Sequence, residues 1–164
     1  MRVGVLTISD RGARGEREDG NYQTIREMMT GIGAQMAHYE VIPDEKGVIR
    51  DRLIALADDL HLDLVLTNGG TGLAPRDVTP DATLEVIDKE VPGMAEAMRL
   101  EGLKKLPLAM ISRAVAGIRG RTLIINLPGS PKGVRENLAV VLPALPHAID
   151  KLRGSEEDCG PLQR

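Results

Sequence analysis

The stretch Thr67-Asn68-Gly69-Gly70-Thr71-Gly72-Leu73-Ala74-Pro75-Arg76-Asp77-Val78-Thr79 concentrates more chemistry than any other part of the chain. Gly69, Gly70 and Gly72 carry no Cβ, so their N–H groups can approach a ligand closely. A turn of that kind at the end of a strand presents a concave row of donors suited to an anionic oxygen. Arg76 places a cation beside it. Asp77 cannot serve an anion directly, so a carboxylate there holds a metal ion or orients another group. Taken alone, Gly-Gly-Thr-Gly reads equally well as a tight turn. Arg76, Asp77 and the helix start at Thr79-Pro80-Asp81 favour the anion site. The run is neither a Walker A loop nor a dinucleotide fingerprint, because Gly72 is followed by Leu73-Ala74-Pro75.

Other residues can share that chemistry. Asp44 follows Pro43 and is either a helix cap or a second acidic group at the same anion site. Asp77 is otherwise a partner for Arg76. Two carboxylates beside a polyphosphate need a cation between them. Mg²⁺ fits, since it takes one or two carboxylates plus phosphate oxygens. Ser9 and Asp10 are turn residues or ligand contacts. Ser130 and Lys132 cap and decorate a helix or make a second polar-ligand site. His38, His61 and His147 are far apart in sequence, with no H-E-x-x-H, and receive no metal role. No G-x-S-x-G occurs, which excludes a serine hydrolase of the elbow type.

The rest of the chain must position these groups. Its 164 residues suit one domain, with 42% apolar and 27% charged residues. Phe and Trp are absent and Tyr22 and Tyr39 are the only aromatics, so stacking platforms for single-stranded nucleic acid are missing. The net charge of −3 argues against a duplex-binding surface. Cys159 is alone, which excludes an internal disulfide and a cysteine zinc site. No apolar run reaches membrane-span length, and Met1 leads straight into a strand, so a cytoplasmic protein is expected.

Arg2–Ile8 and Thr122–Leu127 are near-continuous apolar runs, the mark of strands buried on both faces. Leu62–Leu66 is a third strand and Gln35–Ile42 a weaker fourth. Residues 11–20 are expected to form a mobile loop, and Asn21 to cap a helix reaching about Met29 with Ile25 facing inward. Ile49, Leu53, Leu56 and Leu60 recur at helical spacing. Thr79 is read as the N-cap of a helix to about Asp88, with Pro80 at its first position. Further helix is expected around Met94–Leu100, ended by Pro107, with 108–115 helical or irregular. Ser130 should cap the last helical region, which Pro143 divides. Apolar strands alternating with amphipathic helices argue for a mostly parallel sheet covered on both faces. Ligands of such sheets bind at the carboxyl ends of the strands. Ser9-Asp10, Pro43-Asp44-Glu45, Gly69–Gly72 with Asp77, and Asn126–Lys132 should therefore converge on one edge. Residues 1–153 are read as the domain and 154–164 as a flexible tail.

The residues from Leu66 to Thr83 resemble the signature of the molybdopterin adenylyltransferases of molybdenum cofactor synthesis. So do Thr7-Ile8-Ser9-Asp10, Val41-Ile42-Pro43-Asp44, Ile111-Ser112-Arg113, Gly117-Ile118-Arg119-Gly120 and Ile125–Lys132, while Leu142–Asp150 resembles the equivalent domain of gephyrin-type proteins. The resemblance covers roughly residues 2–153. It implies a three-layer α/β/α sandwich with a mixed, mainly parallel sheet, and commonly a homotrimer. It implies transfer of AMP from ATP to the terminal phosphate of molybdopterin, with Mg²⁺ required. A molybdenum-insertion protein would receive the product. The family's two aspartates fall on Asp44 and Asp77, as catalytic and metal-holding residues. Its substrate contacts fall on Ser9, Asp10, Gly69, Gly70, Thr71, Gly72, Ser112, Asn126, Pro128, Gly129 and Ser130. The rival expectation is a molybdopterin-binding paralogue or scaffold of the same fold without turnover.

Overall fold

The computed structural model describes residues 1–155. Cys159 and nearly all of the expected tail lie outside them. Strands β1 (Arg2–Ile8), β3 (Leu64–Asn68) and β6 (Thr122–Leu127) are buried along their length, apart from Arg2 at the start. β2 (Gln35–Ile42) mixes exposed and half-buried residues, as an edge strand does. β4 (Lys89–Glu90) and β5 (Ala116–Arg119) complete a six-stranded sheet of order β2-β1-β3-β6-β5-β4. β2, β1, β3 and β6 are mutually parallel; β5 runs antiparallel to both β6 and β4. The sheet is thus mixed and mainly parallel.

Helices cover both faces. Val3 and Val5 of β1 point one way and Leu6 and Ile8 the other, the two-residue period of a strand. On the first face Val3, Val5, Leu64, Leu66, Leu123 and Ile125 meet Ile25 and Met29 of α2 (Gly20–Gly31), Met98 of α5 (Pro92–Leu103), Leu138 of α6 (Pro131–Val141) and Ile149 of α7 (Leu145–Leu152). On the second face Leu6, Ile8, Val65 and Ile124 meet Ile49 and Leu53 of α3 (Lys46–Ile54) and Ala82 and Val86 of α4 (Thr79–Val86). A short α1 (Asp10–Ala13) follows β1 directly. The result is a three-layer α/β/α sandwich.

Several local expectations change. Asp19, not Asn21, caps α2, accepting from the Asn21 N–H; Asn21 lies inside the helix and is buried. Part of the 11–20 loop is helical. α3 continues into a π-helical turn at Ala55–Asp59, where Leu60 N donates to Ala55 O at 3.0 Å. The extra residue in that turn breaks the helical phase, so Leu60 is 41% exposed despite its spacing. β3 starts and ends two residues later than the apolar run, which puts Thr67 and Asn68 inside the sheet. β4 is too short to show a period, and β5 is disguised by Gly117 within it and Gly120 just after it. Ser130 caps α6 as expected, accepting from Gly133 N, and Pro143 lies in a 3₁₀ turn separating α6 from α7.

Candidate active site

Because β1, β2, β3 and β6 are parallel, their carboxyl ends share one edge of the sheet. The segments after them meet there. Ser9 N donates to Ile42 O at 2.9 Å, and Gly69 N to Leu127 O at 3.1 Å. Gly69 has φ +107, and a Cβ on it would lie 2.3 Å from the Ile8 carbonyl oxygen. Gly70 has φ +63 and accepts from Thr79 N through its carbonyl. No other residue type fits either position without strain. The Gly69 N–H is consumed by the sheet end, so the donor row is shorter than the sequence suggests. The N–H groups of Gly70, Thr71 and Gly72 donate to no atom of the described residues. They are the three that an anion could use.

Two carboxylates stand beside this turn. Asp44 Oδ1 lies 3.2 Å from where a Cβ on Gly70 would sit, and Asp77 Oδ2 lies 2.8 Å from the equivalent point on Gly72. One oxygen of each is fixed by a main-chain donor: Asp10 N to Asp44 Oδ2 at 2.8 Å, and Ala74 N to Asp77 Oδ2 at 2.8 Å. Asp10 returns the contact, accepting from Asp44 N at 3.0 Å, so the ends of β1 and β2 are clasped reciprocally. Burial holds the Asp44 carboxyl above its usual range. The Asp10 N–H and Arg76 pull the other way, while the negative charges of Asp10 and Asp77 add to the rise. Among the described residues no three His, Cys, Asp or Glu side chains group to hold a metal. Two carboxylates, each with one anchored oxygen, fit Mg²⁺ that completes its shell from phosphate and water.

The cations are used differently from expectation. Arg76 is taken up by carboxylates. Its guanidinium forks onto Asp10 at 2.9 and 2.8 Å and reaches Glu45 at 3.0 Å, which lowers the Asp10 carboxyl's pKa. Asp10 is therefore occupied in holding the edge together. The turn is clamped instead by Arg113. It donates to Gly72 O at 2.9 Å, to Asp77 O, and to both Asp81 oxygens at 3.2 and 3.0 Å, while its own N–H donates to Thr71 O. Nothing local in the sequence marks Arg113 for that task; the partners are more than thirty residues away.

Two cavities flank the turn. One, of about 130 Å³, is lined by Ser9, Asn21, Asn68 and Gly129. The other, of about 300 Å³, is lined by Thr71, Gly72, Ser112, Pro128, Ser130 and Lys132, with Leu106, Leu108 and Ile111 as its apolar side. The sequence candidates Ser9, Ser112, Ser130, Pro128 and Gly129 are thus all brought to the edge. Asn126 is not presented to it. It is completely buried, its Nδ2 donates to Thr67 and Thr83 at 3.0 Å each, and its Oδ1 accepts from Val115 N at 3.2 Å. Its amide braces β3, β6 and α4, and both of its N–H donors are already spent inside the core. Asn68, absent from the sequence candidates, ties the smaller cavity together: it donates to Thr7 Oγ1 at 2.8 Å and accepts from Asn21 Nδ2 at 2.9 Å. Recognising that β3 runs on to Asn68 would have exposed it. A larger cavity of about 770 Å³, near His61, Gly120 and Arg153, opens at the opposite edge of the sheet and holds none of these groups.

Fold and site together define a parallel-core α/β protein that presents a glycine turn and paired carboxylates at its strand ends, where such sheets take ligands. A family model described as a probable molybdopterin binding domain matches residues 4–147. The chain belongs to that family. It is 45% identical over 157 residues to a protein of Helicobacter pylori named molybdopterin adenylyltransferase, covering 94% of this chain and 89% of the relative. An Escherichia coli protein of the same name is 40% identical over 175 residues, covering 98% and 90%. Among solved structures, a molybdopterin biosynthesis enzyme MoaB of Thermus thermophilus superposes with a TM-score of 0.89 at 60% identity, covering 94% of this chain and 97% of the other.

Proposed function

We propose that this protein is a molybdopterin adenylyltransferase of molybdenum cofactor biosynthesis, transferring AMP from ATP to the terminal phosphate of molybdopterin with release of pyrophosphate. Relatives carrying that name at 40–45% identity over nearly the whole chain support the activity. The observation that carries the chemistry is the three unpartnered N–H groups of Gly70, Thr71 and Gly72 between the carboxylates of Asp44 and Asp77. Attack of one phosphate on another brings like charges together, so catalysis is chiefly positioning and charge neutralisation. Main-chain donors fixed in place before substrate arrives do this without reorganisation. Asp44 and Asp77 would hold Mg²⁺ through the oxygens they do not spend on Asp10 and Ala74. The charge neutralisation of phosphate oxygens is what the ion supplies when bound. The cavity of about 300 Å³ lined by Thr71, Gly72, Ser112 and Ser130 offers a place for a substrate beside the turn.

The same reading makes the protein a homotrimer in the cytoplasm that hands its product to a molybdenum-insertion protein, with no nucleic-acid partner. No described helix is long and apolar enough to cross a membrane. Leu100, Leu106, Leu108 and Met110 are each more than half exposed, which supports association with other copies. The experiment for the activity is titration of ATP into protein loaded with molybdopterin. Pyrophosphate should appear only when both are present. Binding of both without any pyrophosphate would instead make the protein a molybdopterin carrier.

A further inference from the structure

The Thr79 side chain is wholly buried at the start of α4. Its main-chain groups are satisfied: N–H donates to Gly70 O at 3.2 Å and C=O accepts from Thr83 Oγ1 at 2.8 Å. Its hydroxyl has no hydrogen-bond partner. Nor does it cap the helix, whose cap position is Val78 with no side-chain bond. A buried hydroxyl without a partner is destabilising, and such groups in native folds call for a reason.

Its location gives one. Thr79 Oγ1 lies 2.5 Å from where a Cβ on Gly70 would sit, and Asp44 Oδ1 lies 3.2 Å from the same point. The free hydroxyl and the Asp44 oxygen that Asp10 does not hold therefore stand against the same bare Cα. The hydroxyl is buried without a partner, and that oxygen, the one left for a cation, still has a lone pair to accept from it. Resting on the adenylyltransferase reading, we propose that Thr79 is a positioning residue for adenylyl transfer. Its hydroxyl donates to Asp44 Oδ1 as charge shifts between the reacting phosphates, and so fixes the direction in which that carboxylate faces them. Glycine at position 70 leaves the gap between the two groups open. Thr83, one turn along α4, is the contrast: it is equally buried, but its hydroxyl is already spent on Thr79 O and Asn126.

The test uses the full chain with Thr79→Val and Thr79→Ser, measuring pyrophosphate release at saturating ATP and molybdopterin, both KM values and thermal unfolding. A hydrogen bond to a charged group contributes enough that its loss should lower kcat of Thr79→Val about 10- to 100-fold. Both KM values should stay within about twofold of wild type, because the contact forms for the reaction and not for ground-state binding. Its Tm should equal or exceed that of wild type, since an unpaired buried hydroxyl has been replaced by a methyl group. Thr79→Ser should restore most of the lost kcat. Wild-type kcat in Thr79→Val overturns the inference. So does a fall of Tm or loss of solubility alongside activity, which would mark the hydroxyl as structural, and so does failure of Ser to rescue. A wild-type protein that releases no pyrophosphate removes the adenylyltransferase reading itself, an outcome distinct from an active wild type matched by Thr79→Val.

Discussion

Asp44 shows how the site balances stability against readiness. Its carboxyl is pushed up chiefly by burial, with Asp10 and Asp77 adding negative charge nearby. A carboxyl whose folded pKa is raised is destabilising when ionised, and that cost is relieved as pH falls through the folded value. Asp44→Asn keeps an acceptor for Asp10 N and removes the charge. Its Tm at neutral pH should equal or exceed that of wild type, and the difference should shrink in acid; differential scanning calorimetry across pH checks this. Gly69 and Gly70 make the opposite point. Gly69→Ala would drive a methyl group into the Ile8 carbonyl, and Gly70→Ala would meet Thr79 Oγ1. Each should lose about 1–3 kcal/mol from left-handed backbone strain alone. Urea titration should find Gly69→Ala the worse of the two, because it collides with backbone and not with a side chain.

At the scale of elements, Arg113 links the turn, Asp77 and the first turn of α4. Lys at that position keeps the charge but not the fork that spans two carbonyls and a carboxylate. Arg113→Lys should leave the fold intact yet loosen residues 71–77, read as faster amide exchange there and an at least tenfold lower kcat/KM. This clamp also marks where the sequence stops being legible. The apolar runs disclosed β1 and β6 residue for residue, and the parallel arrangement correctly brought Asp10, Asp44, Asp77 and Ser130 to one edge. Arg113 and Asn68 stayed hidden because their partners are distant in sequence, and side-chain networks of that kind carry no period. Arg76 misled for a related reason: a cation beside a glycine turn resembles an anion ligand until Asp10 and Glu45 are seen to claim it. Asn126 misled because its neighbours Pro128–Ser130 do reach the edge while it points into the core.

For the whole molecule, Asp63 ties the first strand to the last helix. It accepts from Arg2 N at 2.6 Å and from Arg153 at 3.2 and 2.8 Å. Burial opposes its ionisation, but those donors outweigh burial and lower its pKa. A depressed carboxylate stabilises above the unfolded value, ~3.9 for Asp, and the benefit disappears as pH falls through the folded value. Asp63→Asn should therefore be less stable than wild type at pH 7, and the gap should close below roughly pH 4; a gap of constant size would exclude the ionic contribution. The exposed leucines of α5 and the segment after it bear on assembly. Light scattering should give the mass of three 17.7 kDa chains, and a monomer would leave that apolar surface without the covering proposed for it.

Two acidic side chains acting across one glycine turn carry the proposed transfer. Asp44→Asn and Asp77→Asn should each still bind molybdopterin by calorimetry while pyrophosphate release falls at least 100-fold, the scale of charge-stabilising groups in transfer reactions. Undiminished pyrophosphate release by both variants would contradict it.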